Sequence, residues 1–237
     1  KNASEMEFNT QIQEDAALNY AKLSYEIGNA YQTVPGILLD FLKKYPNNSS
    51  KGEVEKLLVD SYISSKNYKE ALILLEKNRS AENKLAYQKV LFYRGLELYS
   101  ESNYAEALKM FNNAVKEQKN PEFTARATFW KAESEYVTDD FQSALLSYKQ
   151  FAGLAGAKTT EEYKNINYNI AYAYFKLKEY DQAGNSFQAQ IDNSKEDKVR
   201  LNDSYLRLGD CRFVTAKYAP AMEAYAKAID AKGVDAD

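Results

Sequence analysis

The stretch NDSYLRLGDCRFVTAKYAPAMEAYAKAIDAK, residues 202–232, decides how the whole chain is interpreted. Small and ring-bearing side chains recur in it every three or four positions, at Tyr205, Leu208, Gly209, Ala221 and Tyr225. The segment Thr215–Lys217 separates the two halves of this pattern and is the predicted turn. A small side chain lets two helices approach closely, and a ring beside it fills the remaining space. The stretch therefore predicts two antiparallel helices joined by a tight turn.

The same arrangement recurs along the chain. If Tyr218, the aromatic residue just after the turn, is taken as an anchor, equivalent aromatic residues stand 36 to 39 positions apart at Tyr31, Tyr68, Tyr104, Phe141 and Tyr180. The residue three positions after the anchor is alanine in five of six cases: Ala71, Ala107, Ala144, Ala183 and Ala221. The residue nine positions before it is small in four cases: Gly95, Ala132, Ala171 and Gly209. The first unit departs from the pattern, with Lys22 and Val34 at these positions.

These small residues are predicted to let the helices of each unit pack closely, and the main packing candidates are Gly95, Ala107, Ala144, Ala171, Ala183, Gly209 and Ala221. The helices are expected to break near Asn29, Lys66, Ser102, Asp139, Lys178 and Ala216.

The spacing of Tyr205, Leu208, Gly209, Ala221 and Tyr225 resembles the W-x2-L-G-x2-Y…A-x3-F pattern of the tetratricopeptide repeat. The resemblance extends over nearly the whole chain. It implies an all-α fold, a right-handed α-α superhelix or solenoid of about six helix pairs. The pairs are expected at about 15–48, 52–82, 83–120, 121–158, 160–196 and 199–232, as a single solenoid over residues 1–237.

The repeat period exceeds the family's period of about 34 residues. Long units with a junction such as Phe41–Ser49 are similar to the tetratricopeptide modules of bacterial cell-envelope proteins, including the outer-membrane assembly lipoprotein and cell-division coordinator groups. A periplasmic or cell-envelope location is therefore favoured, with a cytoplasmic one left open. After Asp230 no further amphipathic helix follows to cover Ala228 and Ile229. We expect that the chain is a fragment of a longer repeat protein, or that this C-terminal end packs on another molecule, self-association included.

Composition argues against several classes of function. A net charge of -3, from 31 basic and 34 acidic residues, does not favour a nucleic-acid surface. No run approaches the roughly 18 apolar residues of a membrane span, so no direct membrane insertion is expected. The single cysteine, Cys211, leaves no internal disulfide and is expected to be a buried structural thiol. Histidine is absent, which removes the commonest general base and metal ligand. No catalytic residue, metal site or cofactor is predicted.

Two short segments superficially resemble functional sites. The segment Ala152–Thr160 superficially resembles a phosphate-binding loop, but Ala157 interrupts the required Gly-Lys-Thr run and a helix precedes it, so an inter-repeat loop is predicted. Asp139 and Asp140 precede the anchor Phe141 and offer too few oxygens for a metal. A turn and a helix cap are predicted there.

A stripe on the first helix of each unit is the candidate binding surface. Residues 12, 8, 5 and 4 positions before the anchor share one helical face, and in the third to sixth units this face is rich in rings. The resemblance implies that it lines a concave groove. The candidates for peptide binding are Phe92, Tyr99, Arg126, Phe129, Tyr136, Tyr168, Tyr172, Phe175 and Phe213. A clamp for a C-terminal carboxylate, which some family members carry, is not supported, because Arg126 is the main cation nearby.

The sequence thus favours a non-catalytic scaffold that binds a protein or peptide in an aromatic groove. The alternative for the stripe is that its rings pack on neighbouring repeats. The chain would then be a structural spacer in a longer array, with no groove ligand of its own. An enzyme is a third class, and it would have to work without histidine.

Overall fold

The structure is a computed structural model that describes residues 9–77, 79–81, 83–193 and 197–233. Within those ranges it contains twelve α-helices, one short 3-10 segment at Glu161–Asn165 and no strand. The helices are α1 (Thr10–Ile27), α2 (Val34–Lys44), α3 (Lys51–Ser64), α4 (Tyr68–Lys77), α5 (Lys84–Ser100), α6 (Tyr104–Glu117), α7 (Pro121–Val137), α8 (Phe141–Gly153), α9 (Ile166–Lys176), α10 (Tyr180–Asn193), α11 (Lys198–Val214) and α12 (Tyr218–Gly233). The predicted all-α helical-repeat class is confirmed.

Five helix pairs share one type of turn. Their second helices begin at the predicted anchors Tyr68, Tyr104, Phe141, Tyr180 and Tyr218, each after a three-residue link. The middle residues of the links adopt the left-handed conformation, with φ between 58° and 64°, at Lys66, Ser102, Asp139, Lys178 and Ala216. These are five of the six predicted break positions.

Each of these turns is closed by the same two backbone hydrogen bonds. In the α5–α6 link, the N–H of Ser102 donates to the carbonyl of Tyr99 at 3.0 Å, and the N–H of Asn103 donates to the carbonyl of Leu98 at 2.8 Å. This 5→2 and 6→1 pattern is the Schellman motif, which ends a helix by satisfying its free carbonyls. The chain therefore reverses within three residues, and the following helix runs back along the preceding one.

The first pair follows a different rule. Helix α1 ends at Ile27 and α2 begins only at Val34, so the chain does break near Asn29, but the link has six residues, and its residue with positive φ is Gly28 (φ 78°). Tyr31 is 93% exposed, so it is not an anchor and the assignment from spacing was wrong there. Pro35 is the reason, since it sets a helix start that Thr33 caps by accepting from the N–H of Gly36.

The chain divides into two compact units, residues 1–90 and 91–237, and the boundary lies within α5. In the first unit consecutive helices from α1 to α4 pack on each other. Its core includes Ala21, Leu38, Val54 and Leu58, all fully buried. The predicted single solenoid over residues 1–237 stays a prediction.

In the second unit, helices α6 to α12 pack successively, each against the next. The predicted packing residues lie at the crossings: Ala107, Ala144, Ala171, Ala183 and Ala221 are all buried. The two glycines are tighter still. A Cβ on Gly95 would lie 2.6 Å from the ring of Phe111, and one on Gly209 would lie 2.4 Å from the ring of Tyr225. Both values are below van der Waals contact, so the close approach requires glycine.

The connection between α8 and α9 packs as an inter-repeat loop. Ala157 is buried, and a Cβ on Gly156 would lie 2.3 Å from the carbonyl oxygen of Pro121 at the start of α7. The predicted cap is also present, since Asp140 accepts from the N–H of Ser143 at 3.1 Å. Across the described ranges, no helix is both long enough and apolar enough to cross a membrane.

Candidate functional site

The candidate surface lies on the first helices of the pairs in the second unit. We call it the first-helix stripe, and it comprises Phe92, Leu96, Tyr99 and Ser100 on α5; Phe129, Glu133, Tyr136 and Val137 on α7; Tyr168, Tyr172, Phe175 and Lys176 on α9; and Leu206, Asp210, Phe213 and Val214 on α11.

The rings five positions before the anchors are held by their own pair. Each packs against the anchor ring across the turn, with centroid distances of 5.2 to 5.5 Å and steep ring angles: Tyr99–Tyr104, Tyr136–Phe141, Phe175–Tyr180 and Phe213–Tyr218. Edge-to-face contact at this distance is the favoured geometry of an aromatic pair. These rings are therefore oriented by the fold. Tyr99, Tyr136 and Phe175 remain partly exposed, and Phe213 is 57% exposed.

Two predicted groove residues belong to the core instead. Phe92 is 0% exposed and Phe129 is 8% exposed. The ring of Phe92 contacts Phe111 and Phe123 at 6.3 and 5.5 Å, and the ring of Phe129 lies 5.3 Å from Phe151. The ring of Phe92 is thus covered by the next pair, through Phe123, and the ring of Phe129 by the second helix of its own pair, through Phe151. These two rings offer no surface to a ligand.

Arg126 is engaged within the chain. Its guanidinium lies 4.8 Å from the centroid of the Phe92 ring, and its Nε donates to Glu162 at 2.9 Å. The indole N–H of Trp130 donates to the same carboxylate oxygen at 3.2 Å. The cation that the sequence placed near the groove is thus neutralised by Glu162.

Tyr168 and Tyr172 take part in a hydrogen-bond network. Both hydroxyls donate to Oδ2 of Asp203, at 2.9 and 2.5 Å, and Nε of Arg207 donates to the hydroxyl of Tyr172 at 3.2 Å. Arg207 also donates to Asp210 at 2.9 Å, which accepts from Tyr225 at 2.9 Å. Burial raises the pKa of Tyr172, and the bond to Asp203 adds to this rise. The network joins α9, α11 and α12.

Sequence reasoning missed Asp203 and Arg207. They stand 15 and 11 positions before the anchor Tyr218, outside the four positions that define the stripe. A signal was present, because an Asp–Arg pair at i,i+4 on the helix following two tyrosines can meet their hydroxyls.

Glu133 occupies the middle of the stripe. Its Oε1 accepts from the hydroxyl of Tyr148 at 2.6 Å and from Nδ2 of Asn169 at 2.7 Å. Burial raises the pKa of this carboxyl, although both hydrogen bonds and the charge of Arg200 act in the opposite direction. Among the described residues, no lysine or arginine lies within 4 Å of its oxygens.

The charge of Glu133 also acts on the hydroxyls of Tyr99 and Tyr136. Burial, reinforced by the charge of Glu133, raises the pKa of Tyr99 to about 12. Burial likewise raises the pKa of Tyr136 to about 12, and Tyr172 and Glu133 contribute to this rise. Neither hydroxyl makes a hydrogen bond to any part of the chain that the structure describes.

Cys211 is the buried structural thiol that the sequence predicted. It is 1% exposed, and burial raises its pKa to about 12, so the reactive thiolate is scarce at neutral pH. Within the described ranges, no group of three or more Cys, Asp or Glu side chains is arranged to hold a metal ion.

Comparisons with known proteins agree with the fold. Residues 93–158 and residues 165–197 each match a sequence family described as "Tetratricopeptide repeat". No curated protein matches the chain.

Solved structures resemble the chain at low sequence identity. BtubC (BKLC) from P. vanneervenii superposes with a TM-score of 0.60 at 14% identity, covering 93% of this chain and 91% of that one. MamA from Desulfovibrio magneticus RS-1 gives 0.57 at 16% identity, covering 78% and 97%. YrrB, described as a TPR protein with an unusual peptide-binding site, gives 0.59 at 15% identity, covering 83% and 92%. At these identities the likeness is one of fold.

Proposed function

The chain belongs to the tetratricopeptide repeat family, and from that premise we propose that it is a non-catalytic scaffold whose second unit binds a peptide segment of a partner protein on the first-helix stripe. One observation carries the proposal. Tyr99, Tyr136, Tyr172 and Phe175 stand on three successive first helices, and their rings are partly exposed and held in place by contacts within the chain.

Rings of this kind suit peptide recognition for a physical reason. A side chain already fixed in one orientation loses little conformational entropy when a ligand covers it. Covering one large ring contributes roughly 2 kcal/mol of apolar transfer free energy. Two or three such rings therefore contribute a modest favourable free energy of binding, from which the cost of ordering the peptide is subtracted.

The experiment draws ligands from random sequences, so the natural partner need not be identified first. Random 12-residue peptides displayed on phage are selected on the 237-residue chain, and the affinity of synthetic copies is measured by calorimetry. We expect Tyr172→Ala to weaken binding about tenfold or more, since it removes a ring at the centre of the stripe. The matched control is Tyr174→Ala, on the same helix but outside the stripe, and it should change the affinity less than twofold.

A second candidate is the structural spacer, and it too has a specific observation in its favour. Phe92 and Phe129 are buried, and the hydroxyls of Tyr168 and Tyr172 are satisfied by Asp203, so the chain's own groups occupy part of the stripe. If no selected peptide loses affinity in Tyr172→Ala, the spacer replaces the binding scaffold.

Two further expectations stay predictions. A periplasmic or cell-envelope location depends on the junction Phe41–Ser49 and on the repeat length. The absence of nucleic-acid binding depends on the net charge of -3.

A further inference from the structure

The carboxylate of Glu133 is largely buried and uses only one of its oxygens within the chain. Oε1 accepts from Tyr148 and from Asn169, at 2.6 and 2.7 Å. Oε2 makes no hydrogen bond to the described residues, and it is not among the side-chain atoms that are shut off from solvent without a partner. One oxygen of a charged group thus reaches the surface at the stripe with nothing paired to it.

Arg200, whose charge lowers the pKa of Glu133, is engaged elsewhere. The charge of Arg200 reaches Glu133, but its guanidinium pairs with Asp197 and lies 5.8 Å from the centroid of the Tyr168 ring. An anion held in a low-dielectric site without a counter-ion is costly, and a cation that arrives with a ligand offsets this cost.

Tyr136 stands three positions after Glu133 on α7, and the ring of Tyr99 lies 5.1 Å from that of Trp130, which stands three positions before Glu133. Helical spacing therefore brings both tyrosines to the face of α7 that carries this carboxylate. Their hydroxyls make no hydrogen bond within the described structure, and the charge of Glu133 contributes to the raised pKa of both. Their rings are fixed by edge-to-face contacts with Tyr104 and Phe141, and Tyr99 is held additionally by Trp130 at 5.1 Å. One carboxylate oxygen, two hydroxyl oxygens and aromatic rings together form a set of acceptors that suits an organic cation.

We propose that Tyr99, Glu133 and Tyr136 form a subsite that receives a lysine or arginine side chain of the bound peptide. The inference rests on the proposed function, because it names the chemistry of the ligand on the same stripe. It also states which ligand charge the stripe prefers. A C-terminal carboxylate of a partner is repelled by Glu133 at this point, whereas an ammonium or guanidinium group is attracted.

A direct test uses small cations instead of an unknown partner. The full chain is labelled with ¹³C-tyrosine and titrated with N-acetyl-lysine N-methylamide, N-acetyl-arginine N-methylamide and the neutral N-acetyl-glutamine N-methylamide. We expect saturable shifts of the Tyr99 and Tyr136 signals with the two cations at millimolar concentration, and none with the neutral probe. The Glu133→Gln variant should weaken the interaction about tenfold or more.

The matched control is Glu122→Gln, an exposed carboxylate on the same helix α7 whose loss changes the net charge equally. It should leave the titration unchanged. Circular dichroism is used to check that Glu133→Gln folds, and Tyr136→Phe, which removes only a hydroxyl, provides a second variant expected to weaken binding. Equal shifts with the neutral probe, or undiminished shifts in Glu133→Gln, would overturn the proposal.

The selected peptides separate this inference from the proposed function. Peptides enriched in lysine or arginine whose affinity falls in Glu133→Gln support both. Peptides that depend on Tyr172 but carry no basic residue, and bind Glu133→Gln with full affinity, overturn the cation subsite and leave the peptide-binding stripe in place.

Discussion

Gly95 faces the buried ring of Phe111, and an added Cβ would lie 2.6 Å from it. We expect Gly95→Ala to lower the free energy of unfolding by about 1–3 kcal/mol, because overpacking outweighs the better helix propensity of alanine. Urea denaturation followed by circular dichroism measures this. The control is Gly153→Ala, in α8 of the same unit, where no neighbour lies within 4 Å of the new Cβ. A Gly95→Ala variant as stable as this control would contradict the crossing geometry.

Substitution of Glu133 is expected to stabilise the protein, in contrast to Gly95→Ala. Burial raises its pKa above the value in the unfolded chain, so the folded chain holds this proton more tightly. The resulting stabilisation is present below the unfolded pKa and is lost as the pH rises through the folded pKa. At neutral pH, Glu133→Gln should therefore raise the thermal midpoint of the free protein, and the difference from the wild type should vanish near pH 3. A lower midpoint at pH 7 would show that hydrogen bonding outweighs burial.

At the scale of the helix pair, the shared turn has an unusual composition. None of its five left-handed residues is glycine, although glycine adopts positive φ without steric cost. We expect Lys178→Gly (φ 63°) to raise the free energy of unfolding by about 1 kcal/mol. Gln182→Gly, at an exposed position in the first turn of α10, should lower it. Urea denaturation measures the change in the free energy of unfolding for both variants. Changes of opposite sign would show that the backbone conformation at each position decides the effect of glycine, and changes of equal sign would refute this explanation.

The helix pairs could be predicted from the sequence because rings and small residues recur at a fixed spacing. Anchors such as Tyr104 and Tyr180 mark the start of their helices because the turn before them has constant length. The first pair was misplaced because Gly28 and Pro35 lengthen its link. The stripe was predicted only in outline. Helical period shows which residues share a face, but burial of Phe92 depends on how the next pair crosses it, and no single helix contains that information.

At the scale of the whole molecule, the reaction rate of the Cys211 thiol measures how readily the second unit opens. Its thiol is buried where α11 packs on α10, near Gly184. We expect the native thiol to react with Ellman's reagent at least about 100-fold more slowly than the thiol in urea-unfolded chain. Reaction of the folded protein at the rate of a free thiol would contradict the packing of α10 on α11.

The outer face of α12 carries the prediction of self-association. Met222 and Ile229 are 73% and 70% exposed, whereas Ile191, at the position in α10 that corresponds to Ile229, is buried. We expect the sedimentation coefficient of the 237-residue chain to rise with concentration and Met222→Glu to remove this dependence. The control is Glu223→Gln, an exposed polar position on the same helix. A constant sedimentation coefficient would contradict the prediction.

The three-residue links have a consequence for synthesis of the chain. In the second unit they join the two helices of each pair, and among the described residues the side-chain hydrogen bonds between successive pairs connect residues no more than 36 positions apart. Low sequence separation favours rapid folding, since little chain has to be gathered before contacts form. During synthesis on the ribosome, each helix pair of the second unit can therefore pack on the preceding pair as soon as it has emerged. Folding of the early pairs does not require the last one.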